Sequence, residues 1–249
     1  ISNGSIAILE NINRIFIEPG TRVLGCCPQF TDYSCDIKAM GGIFDYVLLE
    51  ESSNYKFDIN DVLNAMKPEH AIIYLDNPNN PTGQVISLND IRLLLEKAET
   101  MNICVIIDEA YADFISREES AISLVNEFDN LIVTRSFSKG LGLAGMRVGY
   151  LVANQEFCSY YIKANSPFSI SNISAHMAQV ALKDYDFIKE SSNRILEAKK
   201  AFIKSLTRLK VAETDERVPI MLLKCDDNDV DLYNVFYKNK IATERGADF

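Results

Sequence analysis

Lys139 stands between Ser136-Phe137-Ser138 and the run Gly140-x-Gly142-x-x-Gly145. That glycine spacing is the one used by dinucleotide-binding loops. Such a loop needs a strand before it and a helix N-terminus after it, so that backbone amides meet a pyrophosphate. Here the glycines lead straight into a strand-like run, Arg147-Val148-Gly149-Tyr150-Leu151-Val152. No acidic residue stands where the ribose would need one. The glycines are instead expected to let the backbone bend closely around a ligand beside Lys139. Two other stretches gather polar residues in the same way. One is Asp76-Asn77-Pro78-Asn79-Asn80-Pro81-Thr82-Gly83, and the other is Asp108-Glu109-Ala110-Tyr111.

Each of these stretches follows an apolar run of strand type. Ala71–Leu75, Ile103–Asp108 and Leu131–Ser136 read as strands buried on both faces. Between them, Ser87 opens a helix reaching about Met101, with Leu88, Ile91, Leu94, Leu95 and Ala98 on one face. Upstream, Ser5 is expected to cap a helix through about Phe16, stopped by Pro19-Gly20. Arg22–Cys26 and Asp45–Glu50 read as strands, and Tyr33–Met40 and Ile59–Met66 as helices. Strands alternating with helices predict an α/β fold, a mostly parallel sheet with helices on both faces. In such sheets ligands bind beyond the carboxyl ends of the strands, so the three polar stretches should face one crevice. Downstream, Phe187–Leu209 reads as one long amphipathic helix. The run "PIMLLKC" (Pro219 to Cys225), the helix "VDLYNVFYKN" and "IAT" suggest a β-α-β start of a smaller α+β domain. The division expected is 1–185 for the large domain and 186–249 for the connecting helix and partial small domain.

Composition narrows the function classes. The 249 residues carry a net charge of −10, which argues against a nucleic-acid surface and an anionic membrane surface. No run of 18 apolar residues is present. The six cysteines show no Cys-x-x-Cys spacing and the two histidines are far apart, so no metal site is expected. A reduced, cytoplasmic setting fits this cysteine usage.

The segment SFSKGLGLAGMR after a strand resembles the lysine motif of fold-type I pyridoxal-phosphate enzymes, the class I/II aminotransferase group. NPNNPTG, DEAY and the opening NGS are similar to that family's other motifs, in the same order, over almost the whole chain. Within the family, SFSKGLGLAGMRVGY is most similar to the histidinol-phosphate aminotransferase branch, with threonine-phosphate decarboxylases nearby. The resemblance implies the following roles. Lys139 forms an imine with the aldehyde of pyridoxal 5′-phosphate, then moves a proton once released. Asp108 pairs with the pyridine nitrogen and keeps the ring cationic; its ordinary alternative is a helix cap. Tyr111 and Asn80 hydrogen-bond the ring's phenolate oxygen. Ser136, Ser138 and Arg147 hold the phosphate, together with the helix start at Gly4, Ser5 and Ile6. Phe30 either stacks on the ring or is an ordinary core residue, and Tyr33 is taken as structural.

The same resemblance implies an aminotransferase acting on a small amino acid and a 2-oxo acid, as a homodimer. A decarboxylase or lyase on the same scaffold, or a cofactor-sensing regulatory domain, are the alternatives. The family's N-terminal covering segment, and the C-terminal segment whose arginine grips a substrate carboxylate, have no counterpart in the chain. In the histidinol-phosphate branch a segment resembling IIVR…F supplies an arginine to the substrate phosphate, and the corresponding stretch here reads IATERGADF. By spacing from Phe249 its slot holds Glu244, with Arg245 one residue later. A carboxylate repels a phosphate, which favours a non-phosphorylated amino acid unless the loop shifts by one residue.

Overall fold

The computed structural model describes residues 1–227 and 229–249. Helix α1 (Gly4–Phe16) comes first, followed by β1 (Arg22–Cys27), α2 (Asp32–Ala39), β2 (Ile43–Leu48), α3 (Ile59–Ala65) and β3 (His70–Asp76). Then come α4 (Leu88–Thr100), β4 (Cys104–Asp108), β5 (Leu131–Ser136) and β6 (Gly149–Ala153). The six strands form one sheet in the order β2-β1-β3-β4-β5-β6. All neighbours are parallel except β5 and β6.

The continuous apolar runs of the central strands are explained by the sheet's two faces. Side chains alternate between faces along a strand. Ile73, Leu75, Val105, Ile107, Leu131 and Val133 pack on α3 and α4. Their intervening neighbours Ile72, Tyr74, Ile106 and Ile132 pack on the other side with Ile8, Leu9 and Ile12 of α1 and Ile37 of α2. Helix α4 begins as its sequence specifies, with the Ser87 side chain accepting from the Asp90 amide at 3.1 Å.

Several expected boundaries differ. Ser5 does not cap α1. Asn3 holds the cap position, without a side-chain hydrogen bond, and Ser5 lies inside the first turn. The second strand begins at Ile43, two residues before Asp45, because Arg22 pairs with Ile43 in the β1 register. Helices α5 (Gln155–Ala164) and α6 (Asn172–Ala181) fill a stretch the hydrophobic pattern leaves open; Asn154 and Ser171 cap them. The long helix, α7, spans Tyr185–Ser205 rather than 187–209. Leu209–Val211 is instead a strand, β7, because its backbone pairs antiparallel with β8 (Leu223–Cys225). Helix α8 (Leu232–Lys238) follows, but Ile241–Thr243 forms no strand. The small region therefore starts as a β-hairpin followed by a helix, not as β-α-β.

The one buried residue of α7 is Lys199. Its ammonium donates to Thr214 Oγ1 at 2.7 Å and to the carbonyls of Asp215, Val218 and Ile220 at 2.8 Å. Four acceptors share its three protons. Burial pulls this lysine down to about 8, against the opposing pull of Asp215 and Glu216. The same segment reaches the loop after β3 through the Asp215 amide, which donates to the Gly83 carbonyl at 3.0 Å.

Candidate active site

Asp76, Asp108 and Ser136 are the last residues of β3, β4 and β5, and all three line one cavity of about 190 Å³. Parallel pairing puts the ends level: Asp76 is opposite Asp108, and Asp108 is opposite Thr134. The loops that follow supply Asn80, Tyr111, Ser138 and Lys139 to the same cavity. Arg147, Phe30, and Ser5 and Ile6 of α1 complete the wall around them. Gly4 does not line the cavity. It lies beneath Arg147, whose guanidinium occupies the place a Cβ on Gly4 would need. Larger cavities occur elsewhere, one of about 660 Å³ between α7 and the loops after β4 and β5, but they do not hold these groups together.

Asp108 is 4% exposed and accepts three hydrogen bonds, one at Oδ2 and two at Oδ1. Tyr33 Oη donates to Oδ2 at 2.8 Å, Thr134 Oγ1 to Oδ1 at 2.9 Å, and the Ala110 amide to Oδ1 at 3.1 Å. Burial raises its pKa, and the Tyr33 and Thr134 hydrogen bonds pull in the opposite direction. Tyr33, read from sequence as structural, therefore orients a site carboxylate and also lines the cavity. Its ring stacks on Tyr74 at 4.9 Å and meets the Phe30 ring edge-on at 5.4 Å.

The Lys139 amine lies 5.1 Å from the centre of the Tyr111 ring. It has no hydrogen-bond or ion-pair partner among the described residues, so nothing competes with an incoming carbonyl for it. The glycines after it serve different ends. Gly140 makes room for the Asp113 side chain, and Gly145 faces open space. Asp113 in turn shares Arg135 with the buried Glu109, at 2.7 Å and 2.8 Å. The lysine loop thus rests on an ion-paired floor.

At the other end of the cavity, the Arg147 guanidinium meets only neutral acceptors, Ser138 Oγ at 3.5 Å and the Ala144 carbonyl at 3.3 Å. No carboxylate pairs with it among the described residues. The first turn of α1 has no side-chain cap. The Gly4 amide turns back to the Ser2 carbonyl at 2.8 Å, which leaves the next amides of the turn open. Gly149 of β6 lets this turn come close: a Cβ there would stand 2.5 Å from the Ser5 amide nitrogen. An unpaired guanidinium, open helix amides, and the Ser136 and Ser138 hydroxyls make a cradle for a dianion. Glu244 and Arg245 are not among the lining residues; the Arg245 guanidinium sits 4.3 Å over the Tyr233 ring.

Sequence reasoning did not find Tyr33 or Thr134 as parts of the site, and it set Asp76 at the crevice without giving it a role. Asp76 carried a usable signal, since it ends a doubly buried strand just as Asp108 does. Tyr33 carried none, because its contact with Asp108 joins positions far apart in the chain.

The model of the family "Aminotransferase class I and II" matches residues 1–248. Histidinol-phosphate aminotransferase of Methanococcus maripaludis strain C7 is 31% identical over 242 residues, covering 96% of the chain and 64% of that relative. The protein of the same name from Thermoanaerobacter sp. strain X514 is 38% identical over 231 residues, covering 92% of the chain and 64% of the relative. The chain thus spans a little under two thirds of the length of these curated relatives. A pyridoxal-phosphate-dependent aminotransferase structure from Streptococcus suis 89-1591 superposes with a TM-score of 0.86 at 24% identity, over 100% of the chain and 68% of that structure. The cavity at the strand ends, the order of its motifs and these matches agree: the chain belongs to the class I and II aminotransferase family.

Proposed function

We propose that this chain carries the cofactor site and the central catalytic residues of a pyridoxal-phosphate-dependent aminotransferase, which moves an amino group between an amino acid and a 2-oxo acid. The observation that carries this reading is the meeting of Lys139, Asp108 and the Arg147 cradle in one cavity. The residues fit the cofactor at both ends: a dianion cradle without an acidic partner, and a buried carboxylate held by three donors. When bound, the cofactor supplies an aldehyde for amines and a ring that accepts electrons.

The protein's own residues do the rest. Arg147, Ser136, Ser138 and the first amides of α1 hold the phosphate. Asp108 would pair with the ring nitrogen, and the donors from Tyr33 and Thr134 favour its charged form against the effect of burial. Tyr111 and Asn80 are the donors available to the ring oxygen, and Phe30 offers its ring surface. Lys139 Nζ would hold the cofactor's aldehyde end, and its freed amine would be the base placed to carry the substrate's α-proton from the α-carbon to the former aldehyde carbon. A homodimer in the cytoplasm is part of this reading. Exposed Ile162, Phe168, Ile173 and Val180 around α5 and α6 support a self-association surface, and six free thiols suit a reducing compartment.

The test is a visible absorption spectrum of the full-length protein with pyridoxal phosphate, before and after a panel of amino acids. An imine band that particular amino acids bleach, with 2-oxo acids appearing, is the expected result. Released carbon dioxide in place of oxo acid would replace the transferase reading with a decarboxylase.

A further inference from the structure

Asp76 has no part in the mechanism above, yet its carboxylate organises both walls of the cavity. Oδ2 accepts from the Asn80 amide at 2.8 Å and from the Phe30 amide at 3.3 Å. Oδ1 accepts from Asn79 Nδ2 at 2.8 Å. The orientation of Asn79 is fixed in turn, because its Oδ1 accepts from Thr82 Oγ1 at 2.5 Å and from the Thr82 amide at 3.2 Å. All three hydrogen-bond partners of Asp76 are therefore donors, a set that favours the charged carboxylate over the protonated acid. We propose that Asp76 is a positioning residue, whose carboxylate ties the Asn80 loop and the Phe30 segment to the end of β3 and so sets the two walls that face the cofactor ring.

The inference rests on the cofactor reading of this cavity. It gives that site a dependence on pH. Burial, reinforced by the nearby Asp108 charge, pushes Asp76 up to about 7, although the Asn80 and Asn79 donors pull it down. Below that pH the added proton points a donor at a donor, and the walls loosen. Other titratable or charged groups face the same space: Cys26 from β1, Tyr33 from α2, Asp108 from β4, and Tyr111, Lys139 and Arg147 from the loops. The effect must therefore be isolated by comparing variants.

The experiment measures pyridoxal-phosphate affinity by visible titration of the full-length protein and its Asp76→Asn variant, at about pH 8 and about pH 6, either side of the Asp76 value. The variant is isosteric but turns one donor against Asn79. It is expected to bind about tenfold more weakly at the higher pH, the size of one lost charge-assisted hydrogen bond. The ratio should shrink toward one at the lower pH, where the native Asp76 is itself protonated. Equal affinities at the higher pH, or a ratio that stays constant with pH, overturn the proposal while the band itself leaves the cofactor reading standing. No band with the native protein overturns both. If the Asn variant does not fold, Asp76→Ser, smaller and equally uncharged, takes its place in the same comparison.

Discussion

Strands β3, β4 and β5 are buried almost from end to end, whereas β7 and β8 contain no fully buried residue. The helices differ in the same way. Helix α4, of 13 residues, buries Ile91, Leu94, Leu95 and Ala98, while α7, of 21 residues, buries only Lys199. The central strands are clamped by two apolar cores, so their last residues cannot drift, and the cavity is built on those last residues. The region after Ser205 contributes no lining residue and is anchored by a charge held among carbonyl oxygens. Chemistry that needs fixed atoms is placed where dispersion and burial act from both sides. The other region is held by one small apolar cluster, Val218 against Ala112 and Ile115, and by a few directional bonds.

Substitutions can sharpen or break this contrast. The largest effect belongs to Lys139→Ala, which should eliminate the visible imine band while unfolding behaviour stays near native, since the side chain is exposed. A persisting band would remove Lys139 from the reaction. Next comes Ile106→Ala, in the middle of β4 and 0% exposed, expected to cost about 2–5 kcal/mol in denaturant unfolding. Lys199→Met should cost less, about 1–3 kcal/mol, by leaving carbonyls of the 215–220 segment unpaired; faster amide exchange confined to that segment is the signature to look for. An undiminished stability would mean that the buried ammonium contributes nothing net. The smallest change is expected for Val235→Ala on α8, 45% exposed, within about 0.5 kcal/mol of native. If Val235→Ala and Ile106→Ala proved equal, the contrast between the two regions would collapse.

How much of this was legible beforehand follows the same division. The runs at Ile72–Leu75, Val105–Ile107 and Leu131–Val133 declare their strands, because burial on both faces leaves no room for polar residues. The polar residues just beyond them then fall at strand ends without further information. The region after Tyr185 gives weaker signals. Half-buried residues at Leu209–Val211 satisfy a helical pattern as well as an extended one, and only pairing with Leu223–Cys225 decides between them. Within the site, Lys139 and Asp108 announce themselves by type and place. The donors that tune Asp108 do not, because Tyr33 and Thr134 reach it through the fold rather than through the chain.

The crossing of β6 over the start of α1 carries a last consequence. Ser2 and Gly149 bond backbone to backbone at 3.0 and 3.1 Å, and no side chain separates the two segments. The spacing between β6 and the first turn of α1, one wall of the anion cradle, is thus set by main-chain atoms, like the gauge of a track set by its sleepers. Exchanging the Arg147, Ser136 or Ser138 side chains can change the grip and the facing wall, but not the position of the helix amides. An engineer wanting a bulkier head group would have to lengthen the loop before α1, adding a residue rather than replacing one.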